Sequence, residues 1–158
     1  MEDNRNYENS SIYMIEPTCV YDEGDIYYGS TIQKYITTRF GGHKKSYKQW
    51  LNGNKSFTSS YLLFEKYGVD NCKIVLVETF SCKSKYELQA REAVFIRNNN
   101  CINKVIPTRT QKEYRQDNAD KINEHNKEYY ENNKNNILEN ADKIKECTKQ
   151  YHQNKKEI

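Results

Sequence analysis

Glu92 stands where a carboxylate is expensive. At about 100° per residue, Leu88, Glu92, Phe95 and Ile96 fall on one face of the helix this stretch predicts. A carboxylate among apolar neighbours is costly to bury unless it is paired with, or bound to, a cation. A metal ligand and a salt bridge at the rim of that face both meet the requirement, and the spacing does not choose between them. The same projection over residues 31–48 sets Arg39 and His43, four apart, on the face that holds Ile32 and Ile36. The bland readings are an arginine stem lying along the surface and a hydrogen-bonded histidine. Gly41-Gly42 adds another: each glycine weakens a helix by about 1 kcal/mol, and a helix ending at Phe40 would leave His43 on a loop. Tyr13 lies in a strand-like run, facing away from Ile12 and Met14, and Tyr27 and Tyr28 take opposite faces of a second run. Gly29 follows at a strand end, where a turn or the close approach of a phosphate would both use it.

These side chains need elements to hold them. Residues 11–15 read as a strand ended by Pro17. Residues 21–25 carry turn chemistry, and 26–29 return as a second strand, completing a hairpin. Helical spacing covers 31–48 and again 58–67, the latter closed by Gly68. The run Ile74-Val75-Leu76-Val77 marks a strand over 72–80. Ser84 and Glu87 then form a capping-box pattern that opens a helix to about Asn98. The order β-β-α-α-β-α predicts a small α/β domain, a three-stranded sheet flanked by helices, over residues 11–106. Residues 1–10 lack periodicity and are expected to be disordered.

Pro107 marks the boundary of a tail, residues 107–158. It opens on a second capping box, Thr110 with Glu113, and repeats residues 117–122 as 139–144, 22 positions later. Eleven bases, ten acids and nine Asn stand there against four Ile and one Leu, too few to bury a core. A solvated helix or a partly disordered segment is expected, with self-association as one use for it.

A mean hydropathy of -1.09 agrees with a core confined to the first hundred or so residues. The net charge of +3 is too small to name a partner, but its distribution says more. Seven acids and one base, Arg5, occupy residues 1–25; no acid lies between Ile26 and Phe64, where Lys34, Arg39, Lys44, Lys45, Lys48 and Lys55 fall. Interleaved with Tyr35, Phe40, Tyr47 and Trp50, that block suits a phosphate backbone, though a solvated basic face reads the same way. The five cysteines are odd in number, scattered and without a Cys-x-x-Cys pair, which argues against a zinc site or a disulfide framework. No apolar stretch is long enough for a signal peptide or a membrane span, so a soluble, intracellular chain is expected, nuclear or cytoplasmic being open.

Taken in order, Ser11-Ile12-Tyr13, Tyr27-Tyr28-Gly29-Ser30-Thr31, Arg39 with His43, Glu92 and Asn103 resemble the signature of the GIY-YIG nuclease superfamily, over residues 11–108. Two positions depart from it. Ser11 replaces the first glycine, and Tyr28 stands where Ile or Val is usual; neither removes a reactive group. The resemblance implies a metal-dependent endonuclease that hydrolyses DNA phosphodiester bonds to 5′-phosphate and 3′-hydroxyl ends. It implies that Glu92 holds one Mg2+ or Mn2+, that Arg39 clamps the scissile phosphate, and that Tyr13 takes the proton of the attacking water with Tyr27 and His43 assisting. Whether Tyr13 or His43 is the base is left open. Gly29, Asn103 and the basic block (Lys34, Lys44, Lys45, Lys48 and Lys55) would contact DNA. The tail is similar in composition to the Tyr-, Asn- and Lys-rich repeats that follow this domain in proteins of large DNA viruses and mobile elements, among them homing-endonuclease-like chains. Two other readings use the same residues: a non-catalytic DNA-binding module on this scaffold, and an interaction protein working through its helical tail.

Overall fold

The computed structural model describes residues 5–154, with side chains to residue 149. The chain divides into two compact units, Met1–Arg109 and Thr110–Ile158. The first is an α/β unit built on a three-stranded antiparallel sheet, in the order β2-β1-β3. Strand β1 (Ser10–Pro17) lies in the centre, β2 (Tyr27–Thr31) at one edge and β3 (Cys72–Phe80) at the other. Tyr13 pairs with Gly29 on one side and Leu76 on the other; between Ile12 and Tyr13 the register on β3 slips past Val77, a bulge.

Because strand side chains alternate, the sheet carries a core on each face. Tyr13 and Ile15 are buried against Tyr47 of helix α1 (Ile36–Leu51) and against Tyr61, Leu63 and Phe64 of helix α2 (Tyr61–Tyr67). On the other face Ile12 packs with Tyr7, Cys82 and Leu88, the last from helix α3 (Lys85–Asn98). Ser84 caps α3, its hydroxyl accepting from the Glu87 amide at 3.2 Å. Gly68 closes α2 at a φ of 85°, which a side chain would strain.

Two expectations change, and one open alternative closes. Helix α1 begins at Ile36 rather than Thr31, because Thr31 is still paired with Ser11 in the sheet and Ile32 packs with the α3-side core. The helix also runs through Gly41-Gly42, where a Cβ would meet nothing within 4 Å. Disorder over residues 1–10 does not describe Tyr7, which is only 4% exposed, or Ser10, which begins β1 and donates to the Tyr7 carbonyl at 2.6 Å; Met1–Asn4 lie outside the described residues.

The free edge of β2 is partly covered. After α3 the chain turns back so that the Ile102 amide donates to the Ile26 carbonyl at 3.0 Å. The Asn103 side chain then plays the part of a further strand residue: the Tyr28 amide donates to its Oδ1 at 2.9 Å, and its Nδ2 donates to the Tyr28 carbonyl at 2.8 Å.

The second unit holds helix α4 (Gln111–Asp117), opened by a full Thr110/Glu113 capping box, and helix α5 (Ala119–Asn154). Tyr129, Tyr130, Ile137, Leu138 and Ile144 are exposed on α5. Among the described residues no helix is long and apolar enough to cross a membrane, and all five cysteines are free.

Candidate functional site

Tyr13 is held by a chain of hydrogen bonds assembled from three elements. Its fully buried ring crosses the β2 backbone opposite Gly29. A Cβ there would lie 2.5 Å from Tyr13 Cζ and from its hydroxyl oxygen, so glycine is what admits the phenol. Arg39 Nε donates to the Tyr13 oxygen at 3.0 Å, and His43 Nε2 lies 2.8 Å from the same atom. Arg39 and His43 are successive turns of one face of α1, the geometry an i, i+4 pair gives. Behind them, Ser60 Oγ at the start of α2 is 2.9 Å from His43 Nδ1. The Tyr27 ring meets the imidazole edge-on at 5.5 Å.

The protons of this chain have two arrangements, set by the His43 tautomer. Arg39 can only donate, so the Tyr13 oxygen accepts at least once. With His43 protonated on Nε2, the fully buried Ser60 hydroxyl donates to Nδ1, the imidazole donates to Tyr13, and the phenol proton is left to point into the cleft. With His43 protonated on Nδ1 instead, the imidazole donates to Ser60 and the phenol donates to Nε2. Arg39 donates to the Tyr13 oxygen in both arrangements.

Glu92 approaches from the other face. Helix α3 packs on β2, and Ser30 Oγ donates to Glu92 Oε2 at 2.5 Å. The carboxylate nevertheless shares one cleft, of about 450 Å3, with Tyr13, Tyr27 and Arg39. The cleft opens at the edge strand, so side chains from both faces of β2 reach it. Arg5, Lys85 and Gln89 also line it.

Burial sets the charge states. It pushes Tyr13 up to about 12, outweighing the charge and hydrogen bond of Arg39, with Glu92 adding to the rise. Tyr27 is raised as well, by burial first and then by Tyr13 and Glu92. Burial, followed by the charge of Arg39, lowers His43 to about 3, so its imidazole is neutral at pH 7. Burial lifts the Glu92 carboxyl above the usual range against the pull of Ser30 and Arg39.

A divalent cation is the group the family resemblance implies. Among the described residues no three His, Cys, Asp or Glu side chains gather into a cluster. Glu92 makes no ion pair there, and it faces an open cleft while half-buried, a position a cation would relieve. A single carboxylate completed by waters and phosphate oxygens fits Mg2+. The donor set is compatible with one such ion.

Of the residues singled out from sequence, the structure brings together Tyr13, Tyr27, Arg39, His43 and Glu92, with Gly29 beneath the phenol. It does not bring the basic block to them. Lys34 lines a separate hollow, Lys44 pairs with Asp70 at 3.7 Å, Lys55 donates to Ser46 at 2.9 Å, and none of Lys34, Lys44, Lys45, Lys48 and Lys55 lines the cleft. Asn103 has both ends of its amide engaged by the Tyr28 backbone, so it braces the edge strand while lining a hollow beside Tyr27 and Glu92. Two of the three acids of the hairpin loop, Asp22 and Asp25, each lie 2.6 Å from Lys66 Nζ. Four participants were given no role from sequence: Ser30, Ser60, Arg5 and Lys85. Ser30 stands inside the family signature, whereas Ser60 and Arg5 carry no signal of their own. Lys85 did carry one: it lies seven residues before Glu92, on the same helical face. Compared with known protein families, with curated proteins and with solved structures, the chain matches none.

Proposed function

We propose that the protein is a metal-dependent endonuclease of the GIY-YIG type, hydrolysing DNA phosphodiester bonds to 5′-phosphate and 3′-hydroxyl ends. The observation that carries this reading is that Tyr13, Arg39 and Glu92, from a central strand, a helix on one face and a helix on the other, open into one cleft. Phosphodiester hydrolysis needs an activated water and neutralisation of the charge that builds on the non-bridging oxygens. When bound at Glu92, a divalent cation supplies Lewis acidity toward the phosphate. Arg39 uses its remaining guanidinium N–H groups to hold a phosphate oxygen while Nε stays on Tyr13.

Tyr13 is the base in this scheme. Arg39 donates to its oxygen, and His43 protonated on Nε2 does the same, the arrangement that stabilises a phenolate, while a His43 held at about 3 is a weak proton acceptor. Tyr13 first gives up its own proton to solvent, and the phenolate then takes a proton from water as the water oxygen bonds to phosphorus. The P–O3′ bond then breaks, and the departing oxygen takes a proton from solvent. Arg5 and Lys85 extend the positive lining of the cleft for the flanking backbone.

Plasmid nicking tests the reading. The protein should cut in Mg2+ and not in EDTA, and Glu92→Ala and Arg39→Ala should each lower the rate at least 100-fold while leaving DNA binding largely intact. Near-normal cutting by either variant would discredit the assignment.

A further inference from the structure

The cleft does not end at Glu92. Tyr27 and Glu92 also line a second compartment, of about 390 Å3, on the far side of the carboxylate. Its chemistry differs from the first. Phe57, Val105 and Pro107 make it largely apolar, and Lys104 and Thr58 stand at its margin. Phe57 is 40% exposed and Val105 73% exposed, apolar surface with no covering partner among the described residues of this unit. The Lys104 ammonium lies 4.8 Å from the Phe57 ring centroid, a cation resting on an aromatic face.

We propose that this compartment receives one unpaired base next to the scissile phosphate, so that the substrate is DNA with a single-stranded nucleotide at the cut. The proposal rests on the nuclease reading and adds the class of DNA to it. An exposed aromatic face beside a lysine is how single-stranded nucleic acid is held without sequence preference: the base stacks and the cation takes the neighbouring phosphate. The occupant follows from continuity. A backbone whose phosphate lies between Arg39 and Glu92 carries its next nucleotide into the compartment that adjoins Glu92. Lys104 then exchanges the ring for that phosphate, freeing the Phe57 face. The volume is that of a small-ligand pocket, which suits one nucleotide. A paired base would bring its partner strand with it.

The test is fluorescence anisotropy in EDTA, where cutting does not enter, with a blunt duplex and the same duplex carrying an unpaired arm. The wild type should bind the armed duplex about tenfold more tightly. Phe57→Ala should weaken armed-duplex binding roughly 5- to 100-fold and leave the blunt duplex nearly unchanged. Phe57 also packs on Trp50 and Tyr61, at 5.7 and 6.0 Å between ring centroids, so Val105→Glu is the second variant; its exposed position tolerates the change and its charge repels the strand. Equal affinity of the wild type for both DNAs, or equal losses on both in both variants, overturns the inference. If the wild type nicks plasmid in Mg2+ but shows no such preference, this inference alone fails. Failure to bind either DNA overturns the nuclease reading along with it.

Discussion

Gly29→Ala isolates the physical requirement beneath the site. The new Cβ would lie 2.5 Å from Tyr13 Cζ and from its hydroxyl oxygen, whereas ordinary contact begins at 3.4 Å, so something must yield by about 0.9 Å. The ring cannot give way cheaply, being fully buried and pinned by hydrogen bonds of 2.8 and 3.0 Å. Overpacking of this kind costs about 1–3 kcal/mol. If the phenol shifts instead, two buried hydrogen bonds weaken at about 1 kcal/mol each. The better strand propensity of alanine returns only about 0.5–1 kcal/mol. Urea denaturation should therefore show a loss of about 1–2 kcal/mol, and plasmid nicking should fall roughly 100-fold, the usual consequence of misplacing a reacting group by about 1 Å. The cause is tested by coupling. Tyr13→Leu removes the ring that the methyl strikes, so in the double variant the destabilisation should fall short of the sum of the singles by more than about 1 kcal/mol. Additive effects, or a Gly29→Ala protein within about 0.5 kcal/mol of wild type, would refute the claim that this glycine exists for Tyr13.

Three further outcomes follow from the same geometry. Unfolded His43 takes up a proton near pH 6.5 and folded His43 only near 3, so the unfolded state binds more protons in that window and stability falls as pH drops through it. From pH 7 to 5 the loss is about 2 kcal/mol, measured as the difference between wild type and His43→Gln so that the opposing effect of the raised Glu92 cancels; equal acid sensitivity of the two proteins would contradict a buried neutral imidazole. With Tyr13 held near 12, the nicking rate should climb about tenfold per pH unit from 7 to 9, and Tyr13→Phe should abolish both the rate and the slope; a flat profile rules out the phenol as base. Asn103→Ala should cost about 2 kcal/mol in urea, since it strips two hydrogen bonds from the Tyr28 backbone, and should speed amide exchange at Tyr28, whereas unchanged exchange would mean the edge is held by something else.

Local signals carried most of the fold. The branched run at residues 74–77, the Ser84 cap and Gly68 after α2 each act over a few residues, and each element they mark is present. Helix α1 was misjudged at its start because periodicity cannot see strand pairing: Thr31 and Ile32 continue a helical pattern in sequence but belong to the sheet and to the opposite core. The glycine pair did not stop the helix, because a propensity cost of about 1 kcal/mol per glycine is small beside burial of His43 and Tyr47. Charge was the least legible property. Of six bases that are near in sequence only Arg39 lines the cleft, which draws its other bases, Arg5 and Lys85, from segments far apart in the chain. Ser60 lies 17 residues from His43, and only the packing of α2 against α1 brings their side chains together.

The edge position of β2 explains why chemistry can collect here. Tyr13 and Glu92 belong to opposite faces of the sheet, each anchored in its own core, and a continuous strand of ordinary residues would wall them apart. Two features remove the wall. Gly29 contributes no side chain, so the phenol lies flat across the backbone, and Ser30, next in line, turns its hydroxyl to Glu92. Among the described residues Ile102 and Asn103 brace the strand edge at Ile26 and Tyr28, so the stretch at Gly29 and Ser30 is left facing the cleft and Glu92. Moving that brace two residues along would close the cleft without touching any reactive group. The site is therefore set as much by where the strand is left uncovered as by the side chains that meet there.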